Sequence, residues 1–560
     1  MPKRVIEIEE ETSRNKRSVD IDAKIVGGYE GYVPEERETE IDEIDEPLSE
    51  QEMLNFHKSY VVGRKPCKIR IRNNRGYDWQ KLSSGTLLET LSGEQLLQVE
   101  QKVDGGFGSG KKRLKMTLKE FIERLSGGDN ELYLTTQYIE DDLEQESEED
   151  ESDFSVASKC SRADAEGTEI EANPDDTDNE GDNSETFITA IENISGEGDG
   201  GDGGDDDASS DTDDIDGIKD DYDALFSTEE PIAQLSTGPL HVEEANQRVR
   251  ELYQAPLTSV IHSLPPPVPE FLPYLLPQQI NLWVGRISPS VENHVTMEKY
   301  NPSDPRLGFG SHLPSGGTSS GLHHDHADNL YIPIEGHKCF TLFSPADAIK
   351  MYTKGDVCSV LKTGIINYQR NENAPLWREL REDGAIVAEV AAHRLKMEAD
   401  SLSPTEKEQL QAIVDKDEEE PKVTENVDPP HFSHIPVAAV HVNEMKDLKL
   451  QNDVKQEIER RWPLFSKANR ITVNLRPGEM LWLPAGWFHE VTSFGSNKNN
   501  FHVAANYWFI PPNGPSIDTP YPLKDKYWPL DYERTKASLH YYRSNHLHDV
   551  PAQGPASNFM

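Results

Sequence analysis

Cysteine is scarce in this chain: four in 560 residues, Cys67, Cys160, Cys339 and Cys358, with no C-x-x-C pair among them. That spacing excludes a disulfide-framed small domain and a cysteine-built structural zinc module. Long apolar runs are missing too. No stretch approaches the roughly 20 residues of a membrane-spanning helix. Met1-Pro2-Lys3-Arg4, followed by Val5-Ile6-Glu7, does not lead into the apolar core of a secretory leader. A cytoplasmic or nuclear protein, not secreted and without a membrane partner, is therefore expected. Basic charge is in short supply: 56 Lys and Arg face 102 Asp and Glu, a formal net charge of -46. Phosphate backbones are bound chiefly by clustered Lys and Arg, so no direct nucleic-acid partner is expected. The densest basic cluster, Lys111-Lys112-Arg113-Leu114-Lys115, is short and reads as a solvated loop or helix start ahead of a nuclear import signal.

The acidity is concentrated. Between Glu140 and Asp223 stand 34 acidic residues against Lys159, Arg162 and Lys219, in a stretch rich in Gly, Ser and Asn and poor in aromatics. Burial there cannot repay the entropy of ordering the backbone, so residues 140–228 are expected to be a disordered acidic insertion. An acidic, disordered tail is expected over residues 1–50. What remains is one large folded body in two stretches, residues 56–138 and 231–526. A helical and acidic insertion is expected at about 389–430, and a C-terminal helix and tail at 527–560, the helix packing on the body or on a second copy in a homodimer.

Period-two alternation at the end of Tyr60 to Arg72 predicts a strand, and helical spacing of Met116, Leu118, Phe121, Ile122 and Leu125 predicts an amphipathic helix over Leu114 to Leu125. Gly85 to Lys102 reads as helix or helix and strand. Further strands are predicted at Glu131 to Tyr138, Ile280 to Gly285, Asn469 to Leu475, Glu479 to Pro484 and Val503 to Ile510. Short β segments through Phe343 suit a small barrel. Gly105-Gly106-Phe107-Gly108-Ser109-Gly110-Lys111 has phosphate-loop spacing, but Lys112 follows where a Ser or Thr would bind Mg²⁺, so it reads as a flexible loop.

The chemistry concentrates in His323-His324-Asp325-His326 and in Pro477-Gly478-Glu479 through Leu483-Pro484-Ala485-Gly486-Trp487-Phe488-His489. In an extended chain, alternate side chains face opposite ways, so His323 and Asp325 share one face while His324 and His326 take the other. His489, after a Gly478 turn and an apolar strand, suits the facing wall. Two imidazoles and one carboxylate form the facial triad that holds non-haem Fe(II) and leaves positions open for co-substrate and O₂.

Leu322-His323-His324-Asp325-His326-Ala327-Asp328-Asn329-Leu330-Tyr331, Gly336-His337-Lys338, the Pro-Gly-Glu to His489-Glu490-Val491 segment and Asn506-Tyr507-Trp508 together resemble the JmjC (Jumonji-C) family of Fe(II)- and 2-oxoglutarate-dependent oxygenases. With Asn281-Leu282-Trp283-Val284-Gly285, the chain is most similar to the small JmjC protein hydroxylases, a branch that includes a lysyl hydroxylase. The resemblance implies a mainly β double-stranded β-helix, a cupin-like jelly roll with flanking helices. It implies His323, Asp325 and His489 as metal ligands and catalytic centre. It implies Lys338 as partner of the distal carboxylate of 2-oxoglutarate, Ser320 as a hydroxyl donor where the family often has Thr, and Asn329, Tyr331 and Asn506 as pocket residues.

The resemblance further implies hydroxylation of a protein side chain, lysine foremost, with release of succinate and CO₂ and with Fe(II), 2-oxoglutarate and O₂ as cofactors. Histone N-methyl-lysine demethylation and a non-catalytic cupin-like binding protein stay open as alternatives. The acidic insertion carries Ser147-Glu148-Glu149-Asp150 and Ser210-Asp211-Thr212-Asp213, which suit an acidophilic kinase, and its charge suits recruitment of a basic protein partner.

Overall fold

The computed structural model describes residues 25–36, 38–72, 77–103, 106–107, 112–137, 240–258, 265–288, 294–418, 429–514, 516–522 and 525–545. The acidic segment from Glu140 to Asp223, residues 1–24 of the expected tail and the 419–428 part of the acidic loop lie outside them.

Fifteen strands are formed among the described residues: β1 (Asp42–Asp45), β2 (Cys67–Arg70), β3 (Leu96–Gln101), β4 (Arg113–Thr117), β5 (Leu132–Leu134), β6 (Pro277–Arg286), β7 (Thr318–Ser319), β8 (Asp328–Glu335), β9 (His337–Phe343), β10 (Val357–Val360), β11 (Ile366–Tyr368), β12 (Ile471–Leu475), β13 (Glu479–Leu483), β14 (Phe488–Phe494) and β15 (Phe501–Phe509). Nine make one sheet in the order β1-β2-β13-β8-β15-β6-β5-β3-β4, and four make a second, β12-β9-β14-β7. Every pairing in these two sheets is antiparallel except β1 with β2. Residues of both sheets, among them Tyr331, Phe340, Leu342, Leu481, Leu483 and Val491, form one buried cluster. This is the double-stranded, cupin-like architecture with flanking helices.

Burial along the strands shows where each sits. All nine residues of β15 are buried, as expected of a central strand covered on both faces, whereas β12 alternates buried and exposed because one of its faces meets water. The outer face of the large sheet is sealed by a second cluster that takes in Phe56, Phe121, Leu125, Val249 and Leu539 from helices Glu50–Phe56, Leu118–Gly127, Val242–Leu252 and Tyr527–Asn545. Gly336 turns the chain from β8 of one sheet to β9 of the other at φ +74°, and a Cβ there would collide with the carbonyl of Phe494.

Three expectations change. Residues 25–50 do not form an extra-domain tail: β1 pairs in parallel with β2, and Asp42, Glu43 and Asp45 find Lys65, Lys68 and Arg70. Acidity that reads as solvated by composition is here neutralised by a basic strand distant in sequence. The segment 114–125 is not all helix: Arg113 to Thr117 pair with β3, and the helix begins at Leu118, where the Thr117 side chain accepts from the Glu120 N–H. Arg113, Leu114 and Lys115 of the basic cluster thus lie in a strand, not in a loop or helix start. Finally, the residues around His323 are not a regular strand. Only His323 itself is bridged, to His489.

The expected helical insertion is present as Val387–Met397 and Pro404–Asp417, broken at Ser403, which caps the second helix with Pro404 in its first turn. A helix also spans Tyr527–Asn545, packed against Val242–Leu252 within the same chain through Arg248 to Asp531 and Arg534 to Glu244. No described helix is long and apolar enough to cross a membrane.

Candidate metal centre and co-substrate pocket

Backbone pairing builds the centre. The N–H of His323 donates to the carbonyl of His489 at 3.0 Å and that of His489 to His323 at 2.7 Å, so the two residues stand directly opposite with side chains on one side. Asp325, two residues on, is pinned by the Gly486 N–H donating to its carbonyl at 2.8 Å. Gly486 adopts φ +76°, and a Cβ on it would collide with the Gly364 carbonyl, so the turn before His489 needs glycine. The result is a cluster of His323, Asp325 and His489 in which one ligand atom from each lies within 4.8 Å of the others. Asp325 Oδ2 is 3.6 Å from His489 Nε2, and Asp325 Oδ1 is 4.0 Å from His323 Nε2.

The imidazoles are held in one tautomer. His323 Nδ1 contacts the Gly321 carbonyl at 3.1 Å and His489 Nδ1 the Trp487 carbonyl at 2.9 Å. A carbonyl only accepts, so each Nδ1 carries the proton and each Nε2 is left with a lone pair facing Asp325. Burial, with the His323 charge adding to it, pushes the pKa of His489 down to about 3, which keeps it in the neutral form that a metal takes. Burial raises Asp325, opposed by His323 and by hydrogen bonds from Asn329 and Trp508. His324 and His326 point away from the triad, as expected. His324 Nε2 meets the Tyr368 hydroxyl at 2.6 Å, within an aromatic cluster that includes His431. Phe432 stacks on the His323 ring at 4.9 Å.

A cavity opens from the triad, lined by Ser320, Asn329, Tyr331 and Phe340, by Trp283 and Trp508, and by Phe107 and Tyr133. Ser320 reaches it, but its hydroxyl donates to the Gly321 carbonyl and accepts the Val491 N–H. Asn506 is fully buried beside the cavity: its Oδ1 accepts the Trp283 indole N–H at 2.8 Å, and its Nδ2 donates to Asn329 Oδ1 at 3.1 Å. Lys338 is on β9, beside the wall rather than in it. Its ammonium donates to the hydroxyls of Ser493 at 2.7 Å and Tyr133 at 3.2 Å and lies 3.4 Å from His502 Nδ1. No carboxylate pairs with it among the described residues. Burial, and then the charge of Lys102, push its pKa down to about 7.

The sequence singled out Tyr133 only as part of a strand and Phe107 only as part of a glycine-rich loop, yet both line the cavity. Also unanticipated is a buried relay behind His489: Glu490 accepts from Ser319 at 2.5 Å and contacts His441 Nε2 at 2.7 Å, while His441 Nδ1 meets Glu444 at 2.6 Å. A polar residue following a histidine carries no sequence signal for that role, because its partners stand far away along the chain.

A family model described as a cupin-like domain matches residues 219–514, just over half of the chain, and the chain belongs to that family. Two of the relatives it matches are named as JmjC domain-containing proteins. JmjC domain-containing protein 4 of Schizosaccharomyces pombe (strain 972 / ATCC 24843) is 24% identical over 558 residues, covering 88% of this chain and 89% of the relative. The human bifunctional peptidase and (3S)-lysyl hydroxylase JMJD7 is 37% identical over 78 residues, which cover 14% of this chain and 21% of that protein. JmjC domain-containing protein E of Dictyostelium discoideum is 26% identical over 192 residues, 34% of this chain and 38% of the relative.

Proposed function

We propose that the chain is an Fe(II)- and 2-oxoglutarate-dependent oxygenase that hydroxylates a protein side chain, lysine foremost. The observation that carries this is the meeting of two Nε2 lone pairs and one carboxylate at the end of a cavity. That donor set suits Fe(II), and three protein ligands would leave positions open for co-substrate and O₂. Bound iron, with 2-oxoglutarate and O₂, supplies the oxidation, in which the keto acid becomes succinate and CO₂ and the substrate C–H becomes C–OH.

The chain's own share is binding, orientation and exclusion of water. Gly321 and Trp487 carbonyls hold the ligand imidazoles through their Nδ1 protons. Lys338 brings a buried ammonium with no carboxylate beside it among the described residues, a strong attractor for the distal carboxylate of a dicarboxylic acid, and the Tyr133 hydroxyl stands with it. Asn506 and Asn329 form a polar link from Trp283 to Asp325. Lysine is favoured as target by two supports: the lysyl hydroxylase named among the relatives, and a net charge of -46 that attracts basic protein segments.

The test is incubation of the full-length protein with Fe(II), 2-oxoglutarate and lysine-containing peptides, unmodified and N-methylated. A peptide heavier by one oxygen, with succinate formed in step, is expected. Loss of a methyl group with formaldehyde would make the chain a demethylase, and iron binding without succinate under any condition would make it a binding protein.

A further inference from the structure

The geometry points to Phe107 as the side chain that sets the length of the keto diacid this protein accepts, an inference that rests on the 2-oxoglutarate reading above. Phe107 belongs to the glycine-rich segment between β3 and β4, to which the chemistry so far gives no role. Its ring is buried, lines the same cavity as the triad and stacks on Tyr133 with centroids 3.9 Å apart and planes 13° from parallel. Tyr133 is the residue whose hydroxyl accepts from Lys338, and the Lys338 ammonium is 6.0 Å from the Phe107 ring centroid. Phe107 therefore stands on the Tyr133 and Lys338 side of the pocket, where the distal carboxylate would be bound.

The backbone fixes the ring there. The Phe107 N–H donates to the Ser319 carbonyl at 3.0 Å, and Gly106 is bridged to Ser319 in parallel register. A Cβ on Gly106 would lie 2.6 Å from both Cβ and Oγ of Ser311, so the close approach needs glycine. Ser319 is itself held by Glu490. An aromatic wall on a backbone clamped at this point bounds the cavity on the side of Tyr133, whose hydroxyl meets Lys338, and a diacid one methylene longer would have to fit against it. An aromatic face near a buried ammonium also favours the charged form that a carboxylate requires.

The experiment is calorimetric titration of the full chain, loaded with Mn(II) as a redox-inert stand-in, with 2-oxoglutarate and with 2-oxoadipate, which is one methylene longer. Wild type is expected to prefer 2-oxoglutarate. Phe107→Ala is expected to weaken 2-oxoglutarate about tenfold while 2-oxoadipate holds or gains, so that the preference falls by about tenfold or more. Phe107→Leu is expected to fall between the two, and Phe107→Trp to bind both acids poorly. Mn(II) affinity is expected to stay unchanged in all three, which separates a pocket wall from general damage to the fold. Should Phe107→Ala fail to fold, the leucine and tryptophan variants carry the same comparison. Unchanged preference in the variants, with wild type binding 2-oxoglutarate, overturns the assignment of Phe107 alone. A wild-type protein that binds neither acid overturns the co-substrate reading and this inference with it.

Discussion

His323 and His489 exchange both of their backbone hydrogen bonds, at 3.0 and 2.7 Å, although they stand 166 positions apart in sequence, and this bridge brings their imidazoles to one face. Removing either imidazole leaves an incomplete ligand set. His489→Ala is expected to lower metal affinity by at least the about 10–100-fold that loss of an outer partner of a metal ligand costs, and to abolish succinate formation. Mn(II) titration and a succinate assay check it. Full turnover by this variant would sink the oxygenase reading.

On the proposed reading, in which Lys338 holds the distal carboxylate, co-substrate binding depends on pH. In the ligand-free protein its pKa is depressed to about 7, first by burial and then by Lys102. A bound carboxylate stabilises the ammonium and raises that pKa. Below pH 7 the group is already charged and affinity for 2-oxoglutarate is greatest. As pH rises above 7, binding must take up a proton, and affinity falls by up to about tenfold per pH unit. Titrations from pH 6 to 9, in buffers of different ionisation enthalpy, read the proton uptake directly. Lys338→Met is expected to bind weakly and to lose this pH dependence.

The relay behind the candidate metal centre predicts a different profile. Burial by itself lowers the pKa of His441, but Glu444 and Glu490 on its two ring nitrogens outweigh it and hold the pKa up at about 9. A group raised on folding contributes stability that is fully present below its unfolded value, near 6.5, and is lost as pH climbs through about 9. The displacement corresponds to an order of magnitude of 3 kcal/mol. Thermal unfolding from pH 6 to 10 is expected to show wild type losing stability above pH 7 more steeply than His441→Gln. Parallel curves would remove His441 from the account.

A buried ion pair locks the turn that precedes His489. Arg64 Nη1 donates to Asp328 Oδ2 at 2.8 Å, a second guanidinium nitrogen meets Oδ1, and that oxygen also accepts the Ala485 N–H at 2.9 Å. Arg64 in turn donates to the Thr363 carbonyl at 2.7 Å. Asp328→Ala leaves a guanidinium charge buried without its partner and is expected to cost about 3–5 kcal/mol. Denaturant unfolding measures it, and a loss under about 1 kcal/mol would show that the Arg64 charge escapes to water.

Local sequence determined much of this protein, because local physics was enough. The alternation of β12, the apolar run of β15, the Ser403 cap with Pro404 behind it and the tight turn at Gly478 are dictated by neighbours in the chain. The His-x-Asp spacing likewise puts two donors on one face of any extended segment. Tertiary structure decided what depended on distant partners. Asp42 to Asp45 became a strand only because a basic strand lies alongside, and Thr117 divided a helical pattern because β3 offered hydrogen bonds to residues 113–117. His489 met His323 through a bridge that no sequence spacing encodes. Phe107 and Tyr133 became pocket walls, and Glu490 the hub of a buried relay, because folding brought them to groups that composition and periodicity do not register: a buried ammonium, a carbonyl and a second imidazole.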